Sequence, residues 1–331
     1  VTTPKTALPR ATPSLPYWSH PMGSHLALVT DETSLAVDYD MPLLLDACRA
    51  AGLRAEICSW RDPDIAWDRF DAVLLRSPWS YVESFQEFLE WCEYVSDVTH
   101  LFNPLPVVRW NLDKYYLADL AEAGVPVVPS GFVAPGADPA AAVRTFLDRH
   151  EEAREIVVKP TVGAYSRDVQ RFPRTAVTEA AASVAKLLDQ GCHVILQPYQ
   201  DSIDHHGETD LIHFGGVYSH AIRKRALLLP DGTVDEPTQE TRAAREPAED
   251  EHAVAEAALD AAAAHLELRE PLLYSRVDLV RGADGKPLVL ELELCEPSLS
   301  MPFSENSASR FARAVSVRLA EISRNRKNGQ S

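Results

Sequence analysis

The sequence predicts an α/β protein built from more than one unit, and three observations carry that expectation. Short apolar runs alternate with amphipathic helical stretches from residue 25 to about 95, the pattern of a parallel sheet covered by helices. Past residue 110 the rhythm changes to shorter helix and strand signals broken by Pro and Gly, as in α+β units. The 331 residues suffice for two or three units sharing a sizeable core.

Residues 1–22 hold five prolines and no apolar signal-peptide core, so residues 1–23 are expected to be a disordered leader. A first unit over 24–110 opens with a strand at 25–30. A helix over 41–51 follows, closed by Gly52, then strands at 53–58 and 70–75. The third strand runs into Arg76-Ser77-Pro78-Trp79-Ser80-Tyr81. Ligands of open α/β sheets bind beyond the carboxyl ends of strands, which makes Arg76, Ser77, Trp79 and Tyr81 candidate substrate contacts. The competing reading is that Trp79 and Tyr81 only staple the next helix, 84–94.

A second unit over 111–199 follows the break at Asn103-Pro104. It begins with a helix over 111–123 carrying Lys114 and turns at Gly124-Val125-Pro126. A helix over 139–150, a strand over 156–160, a helix over 177–190 and a strand over 194–197 complete it. Gln197-Pro198-Tyr199 reads as a hinge into the third unit, 200–325. There two runs, 211–214 and 217–223, flank Gly215-Gly216, a hairpin signal. Polar residues 230–247 predict a mobile loop, 251–266 an Ala-rich helix, and 307–324 a closing helix.

The formal net charge of −17 argues against nucleic acid or membrane held by bulk electrostatics. Five cysteines without a CxxC pair give neither a zinc signature nor a disulfide framework, and no apolar run approaches the ~20 residues of a membrane span. A cytoplasmic enzyme is expected, and a homodimer is compatible with the sequence.

The chemistry concentrates near the C-terminus. Arg276-Val277-Asp278-Leu279-Val280 and Leu288-Val289-Leu290-Glu291-Leu292-Glu293 flank a turn at 282–285. Period two puts Glu291 and Glu293 on one strand face, and hairpin pairing brings Asp278 to the same face. Three carboxylates there need cations, and hard Mg²⁺ takes carboxylate and phosphate oxygens. Lys159 ends a strand beside the small-residue loop Thr161-Val162-Gly163-Ala164, a setting suited to a triphosphate.

The order of these pieces resembles the ATP-grasp superfamily of carboxylate-amine ligases: a helix lysine, Lys114; a strand lysine, Lys159; the Gln197-Pro198-Tyr199 hinge; then Arg276-x-Asp278 and Glu291-x-Glu293. The Arg-x-Asp spacing is similar to that of D-alanine–D-alanine ligases. Stretches such as LLRSPWSYVESFQEFLEW and LELELCEPSL look like the glutathione-synthetase-like group that includes O-ureido-serine cyclo-ligases of D-cycloserine biosynthesis. The resemblance covers about residues 25–325. It implies an ATP-grasp fold: a Rossmann-like N-terminal domain and two α+β domains clasping ATP. It implies ATP and two Mg²⁺ ions as cofactors and a small amino-acid-like substrate. Lys114 and Lys159 would hold the α- and β-phosphates, and Gln197, Pro198 and Tyr199 would line the adenine. Asp204 or Glu208 would accept from the ribose, with Glu208 the better match. Asp278, Glu291 and Glu293 would hold the metals, and Arg276 would stabilise the acyl phosphate and the oxyanion. Apart from the resemblance, the basic cluster Arg223-Lys224-Arg225 in a chain of net charge −17 is expected to bring one or two cations to the γ-phosphate or the substrate carboxylate, and Glu296 and Ser298 are expected at the substrate's amino or carboxyl group. The implied activity is amide formation through an acyl phosphate, intramolecular in the cyclo-ligase form. An intermolecular ligase, a small-molecule kinase or a non-catalytic nucleotide-binding module would share the same fold.

Two departures stand out. The phosphate flap has a single glycine, Gly163, and Glu293 stands where Asn is common. His205, His206, His213 and His220 fit no closed zinc spacing. No nucleophilic triad is expected, because Ser219 and His220 as strand neighbours would point to opposite faces.

Overall fold

The computed structural model describes residues 23–229, 233–235 and 239–328. Nearly all of the expected leader, and parts of the expected 230–247 loop, lie outside the described residues. Three sheets organise the chain. The first contains β1 (His25–Thr30), β2 (Arg54–Ser59), β3 (Ala72–Ser77) and β4 (His100–Phe102), all parallel in the order β2-β1-β3-β4. Helices Met41–Ala50 and Phe85–Val98 pack on it. Every residue of β1 and β3 is buried, as in a parallel sheet covered on both faces. The chain leaves β1 toward β2 on one side and reaches β3 on the other, so the crevice between the β1 and β3 ends is the topological switch point. Asp31, just past β1, closes it by accepting the Ser80 N–H at 2.9 Å.

The second sheet is antiparallel. It contains β5 (Gly131–Val133), β6 (Glu155–Pro160), β7 (Gln170–Pro173) and β8 (Val194–Pro198), in the order β5-β8-β6-β7. Helices Pro139–Arg149 and Val177–Asp189 cover one face through Val143, Phe146, Leu147, Val184 and Leu187.

The third sheet is antiparallel and runs β11-β10-β9-β12-β13, from β9 (Glu208–Phe214), β10 (Val217–Lys224), β11 (Arg242–Arg245), β12 (Tyr274–Arg281) and β13 (Pro287–Glu293). Gly215 and Gly216 both take positive φ, which the tight β9–β10 turn requires. One face buries Leu211, Val277, Leu279 and Leu292 on helix Glu249–His265. The opposite face is divided. Ile212, Phe214, Ile222 and Tyr274 join the core of the first sheet and helix Ser307–Asn328. Further along the same strands the apolar residues give way to Asp210, Asp278 and Glu293. The site is thus the polar continuation of a core face.

Three local expectations change. Lys114 is not within a helix: helix Leu105–Asn111 ends, helix Tyr116–Glu122 begins, and Lys114 occupies the break. The Asn111 side chain bonds the backbone of β13 at Leu292 O and Leu294 N, both at 2.7 Å, which anchors the break against the site strand. Part of the expected 230–247 loop is strand β11, paired with β10. Ser219 and His220 do not diverge: a bulge between Tyr218 and His220 brings Ser219 Oγ to 2.9 Å from His220 Nδ1. Among the described residues no helix is long and apolar enough to cross a membrane, and all five cysteines are unpaired.

Candidate active site

Strand register assembles the site. Arg276 lies opposite Glu293 and Asp278 opposite Glu291 across β12–β13, while Asp278 faces Asp210 across β12–β9. Lys224 lies opposite Glu208 across β10–β9. That last pairing depends on Gly207, whose φ is +72° and whose absent side chain would overlap the Lys224 carbonyl. Two groups of carboxylates result, Asp278/Glu291/Glu293 and Glu208/Asp210/Asp278, each with oxygens within 4.8 Å of one another.

Cations interleave with them. Arg276 grips Asp278 through Nε (2.7 Å) and Nη2 (2.8 Å), and Nη2 also reaches Glu293 (2.5 Å). Lys159 Nζ donates to Glu291 at 2.7 Å, with Lys114 Nζ 3.9 Å from the same oxygen and donating to the Gly163 carbonyl at 3.2 Å. Lys224 Nζ is 2.5 Å from Glu208, 3.8 Å from Asp278 and 3.9 Å from Asp210.

Burial sets the protonation of these groups. It pushes Glu291 up, but Lys114 and Lys159 overcome it and hold the carboxyl well below the usual range. Burial drives Glu293 up to about 8 against the pull of Arg276, with Asp278 and Glu291 adding to the rise. Asp210 is pushed to about 7 by burial and by Asp278, and neither of its oxygens accepts a hydrogen bond. Burial also lowers Lys159, whereas Lys224 rises because three carboxylates surround it. The same cluster in contact with cations would lose its mutual repulsion.

These groups sit in one cleft of about 1640 Å³, counting its open mouth. Toward the hinge its walls are apolar: Val157, Val169, Tyr199, Ile203, Leu228 and Leu290, between the second and third sheets. Gln197, Pro198 and Tyr199 line it, and Tyr199 is held from behind by the Arg171 guanidinium, 3.5 Å from its ring centroid. Glu208 lines the cleft; Asp204 does not, being bound to Arg171 (3.0 and 3.1 Å) and to Tyr199 Oη (2.6 Å). The loop after β6 covers the end of the cleft that holds Lys114 and Lys159. It has Tyr165, Ser166 and Asp168 at positive φ, the Tyr165 ring meets Trp79 at 4.8 Å, and Arg167 bonds Glu83 at 2.8 Å.

The structure divides the expected substrate residues. Trp79, Tyr81, Glu296 and Ser298 line the cleft. Arg76 and Ser77 do not: Arg76 is 1% exposed and donates to the Pro297 carbonyl at 2.9 Å, while Ser77 Oγ is 2.8 Å from Thr30 Oγ1. Both end a fully buried strand, so Arg76 serves the backbone between Glu296 and Ser298, and Ser77 ties β3 to the end of β1. Arg223 points outward and donates to the His205 and His206 carbonyls, because the residue beside Lys224 takes the other face of β10. Asp210, Asp38, Tyr39, Tyr165 and Arg242 were missed from sequence. Asp210 carried only a hint, a charge at the start of an apolar run, and its place in the site depends on the β9–β12 register.

Comparison with known proteins places this architecture. A profile for the N-terminal domain of D-cycloserine synthetase DcsG matches residues 26–103. The cycloserine biosynthesis protein DcsG of Streptomyces lavendulae is 61% identical over 294 residues, covering 89% of this chain and 98% of that protein. A crystal structure of D-cycloserine synthetase DcsG superposes with a TM-score of 0.87 at 61% identity, covering 89% of this chain and 99% of that one. More distant structures share the fold. The ATP-grasp ligase PsnB with precursor peptide and AMPPNP has a TM-score of 0.58 at 17% identity, over 89% of this chain and 98% of that one. D-alanine–D-alanine ligase from Bacillus anthracis with ATP has 0.59 at 17%, over 90% and 99%. This chain belongs to the D-cycloserine synthetase family, ligases built on the ATP-grasp fold.

Proposed function

We propose that this chain activates the carboxylate of O-ureido-serine with ATP and closes the ring of D-cycloserine. The observation that carries the reading is the meeting of Lys114, Lys159 and Arg276 on Asp278, Glu291 and Glu293 in one cleft. The 61% identity to a cycloserine biosynthesis protein points to the substrate.

In this reading residues 24–110, 111–199 and 200–325 are three domains that clasp the nucleotide. The apolar slot receives adenine at Gln197, Pro198 and Tyr199, and Glu208 accepts from the ribose hydroxyls. Lys114 and Lys159 hold the α- and β-phosphates, and Lys224 meets the γ-phosphate. The donor set fits two Mg²⁺ ions: all oxygens, in two overlapping groups, with both Asp210 oxygens lacking hydrogen-bond partners. When bound, those ions would neutralise triphosphate charge. Asp278, Glu291 and Glu293, with Asp210 added here, would hold them.

The substrate carboxylate attacks the γ-phosphorus, ADP leaves, and an acyl phosphate forms. Arg276, fixed by Asp278 and Glu293, stabilises the growing negative charge and then the tetrahedral oxyanion, an electrostatic contribution that requires no reorganisation. The Tyr165 loop shields the acyl phosphate from water. The nitrogen on the side-chain oxygen of the same molecule attacks the acyl carbon, its proton is lost and phosphate leaves, favoured by proximity; water then removes the carbamoyl group from that ring nitrogen as ammonia and carbon dioxide, which leaves D-cycloserine. Trp79, Tyr81, Glu296 and Ser298 hold that substrate. The reading places the enzyme in the cytoplasm, with a homodimer as the assembly to test by light scattering.

Incubation with Mg²⁺-ATP and O-ureido-serine is expected to release ADP, phosphate and the cyclised product by mass spectrometry. Glu291→Gln is expected to lower ADP release at least about 100-fold with an unchanged fold. Wild-type turnover in that variant would remove the metal assignment. A phospho-ester product would make the enzyme a kinase.

A further inference from the structure

The cleft does not end at the phosphate-binding lysines. Past Arg276 it continues into a corner walled by Tyr39, Trp79, Tyr165 and Arg242. A run of contacts locates it. Arg276 Nη1 donates to the Ser298 carbonyl at 3.0 Å, Ser298 Oγ lies 2.8 Å from Tyr39 Oη, and Trp79 Nε1 donates to the Glu296 carbonyl at 2.9 Å. Asp38, next to Tyr39, lines the same cleft.

Asp38 is unusual among the lining carboxylates. It is 7% exposed. Its Oδ1 is fixed by the N–H groups of Asp40 (3.0 Å) and Met41 (3.1 Å), while Oδ2 is buried with no hydrogen-bond partner. A buried carboxylate oxygen left without a donor is costly, and a ligand cation removes the cost. The metal-facing carboxylates already have cationic neighbours. Glu296 has the Tyr81 hydroxyl as its partner. Asp38 therefore holds one rigid, unpartnered acceptor in the wall of the corner, beside the Tyr39 and Tyr165 rings and with the Arg242 guanidinium 5.5 Å from the Tyr39 ring.

We propose that Asp38 is the acceptor for the substrate's α-ammonium group, with Tyr39 and Tyr165 enclosing it. This rests on the reading that the cleft takes an amino acid. The carboxylate to be activated must face Arg276. An α-ammonium sits one carbon away from it, and the Arg276–Ser298–Tyr39 contacts make the Asp38 corner the adjoining space. The chemical class follows: zwitterionic α-amino acids with a short side chain, and not the corresponding acids without the amino group.

The test compares O-ureido-D-serine with its counterpart lacking the α-amino group. Calorimetry is run with Mg²⁺ and a non-hydrolysable ATP analogue on wild type and Asp38→Asn, which keeps an oxygen for the two N–H groups. Asp38→Asn is expected to weaken the amino acid about 10- to 100-fold, the range of a hydrogen bond to a charged group, and the deaminated ligand less than about 3-fold. Asp38→Ser retains a capping oxygen and must show the same selective loss if Asp38→Asn unfolds. Equal loss on both ligands, no loss, wild-type binding of neither, or a selective loss that follows Glu296→Gln alone would overturn the assignment. ADP release is read separately: selective binding without ADP release removes the cyclo-ligase reading and leaves the ammonium site standing.

Discussion

Asp210 lies 3.9 Å from both Lys224 Nζ and Arg276 Nε, with Asp278 opposite it across the strand pair. Without cations it is a source of repulsion. Asp210→Asn is therefore expected to raise the melting temperature of the metal-free protein. It should shrink the further rise produced by Mg²⁺-ATP in scanning fluorimetry. His213 and His220 give a second residue-level prediction. Burial lowers both to about 4, although His220 Nε2 donates to the Leu299 carbonyl at 2.9 Å, which opposes part of that shift. Their folded values lie below the unfolded ~6.5, so they stabilise fully above that pH, and the contribution falls as pH drops toward 4. Urea unfolding should lose about 1.4 kcal/mol per pH unit for each histidine in that window. His213→Phe should flatten the slope. Asp278, Glu291 and Glu293 were legible from sequence because period two is a local rule. Asp210 and Asp38 were not, since one needs the β9–β12 register and the other the approach of a separate sheet.

At the scale of elements, the loop after β6 reaches the first sheet through the Tyr165–Trp79 ring contact and the exposed Arg167–Glu83 pair. Exposed pairs contribute about 0–1 kcal/mol, so Arg167→Ala should leave stability nearly unchanged. Its effect should appear as a several-fold higher KM for ATP in the ADP-release assay, because the loop then closes less often. Long apolar strands such as β1, β9 and β12 were readable, and their bounds shift by only a few residues. β4, β5, β7 and β11 were not: each has three or four residues, and its partner strand holds it in place more than its own pattern does. The helix break at Lys114 escaped for a related reason. Its cause is Asn111 bonding β13, a contact 181 residues away in the chain.

For the whole molecule, the central fact is that the first and third sheets do not own separate cores. Phe311 and Val315 of the closing helix, Met41 and Leu44 of the first helix layer, and Phe214 and Tyr274 of the third sheet form one buried cluster. Phe311 stacks on Phe214 at 4.7 Å and meets Tyr274 edge-on at 5.8 Å. Phe311→Ala is expected to cost about 3–5 kcal/mol. It should loosen the first sheet together with the strands that carry Asp210 and Asp278, visible as one cooperative transition at lower urea and not as two.

That shared cluster also has a consequence in time. Helix Ser307–Asn328 packs directly on helix Met41–Ala50, although one emerges from the ribosome long before the other. The first sheet must wait, with an apolar flank uncovered, while the two later sheets are synthesised. Until the final helix arrives, that flank stays uncovered.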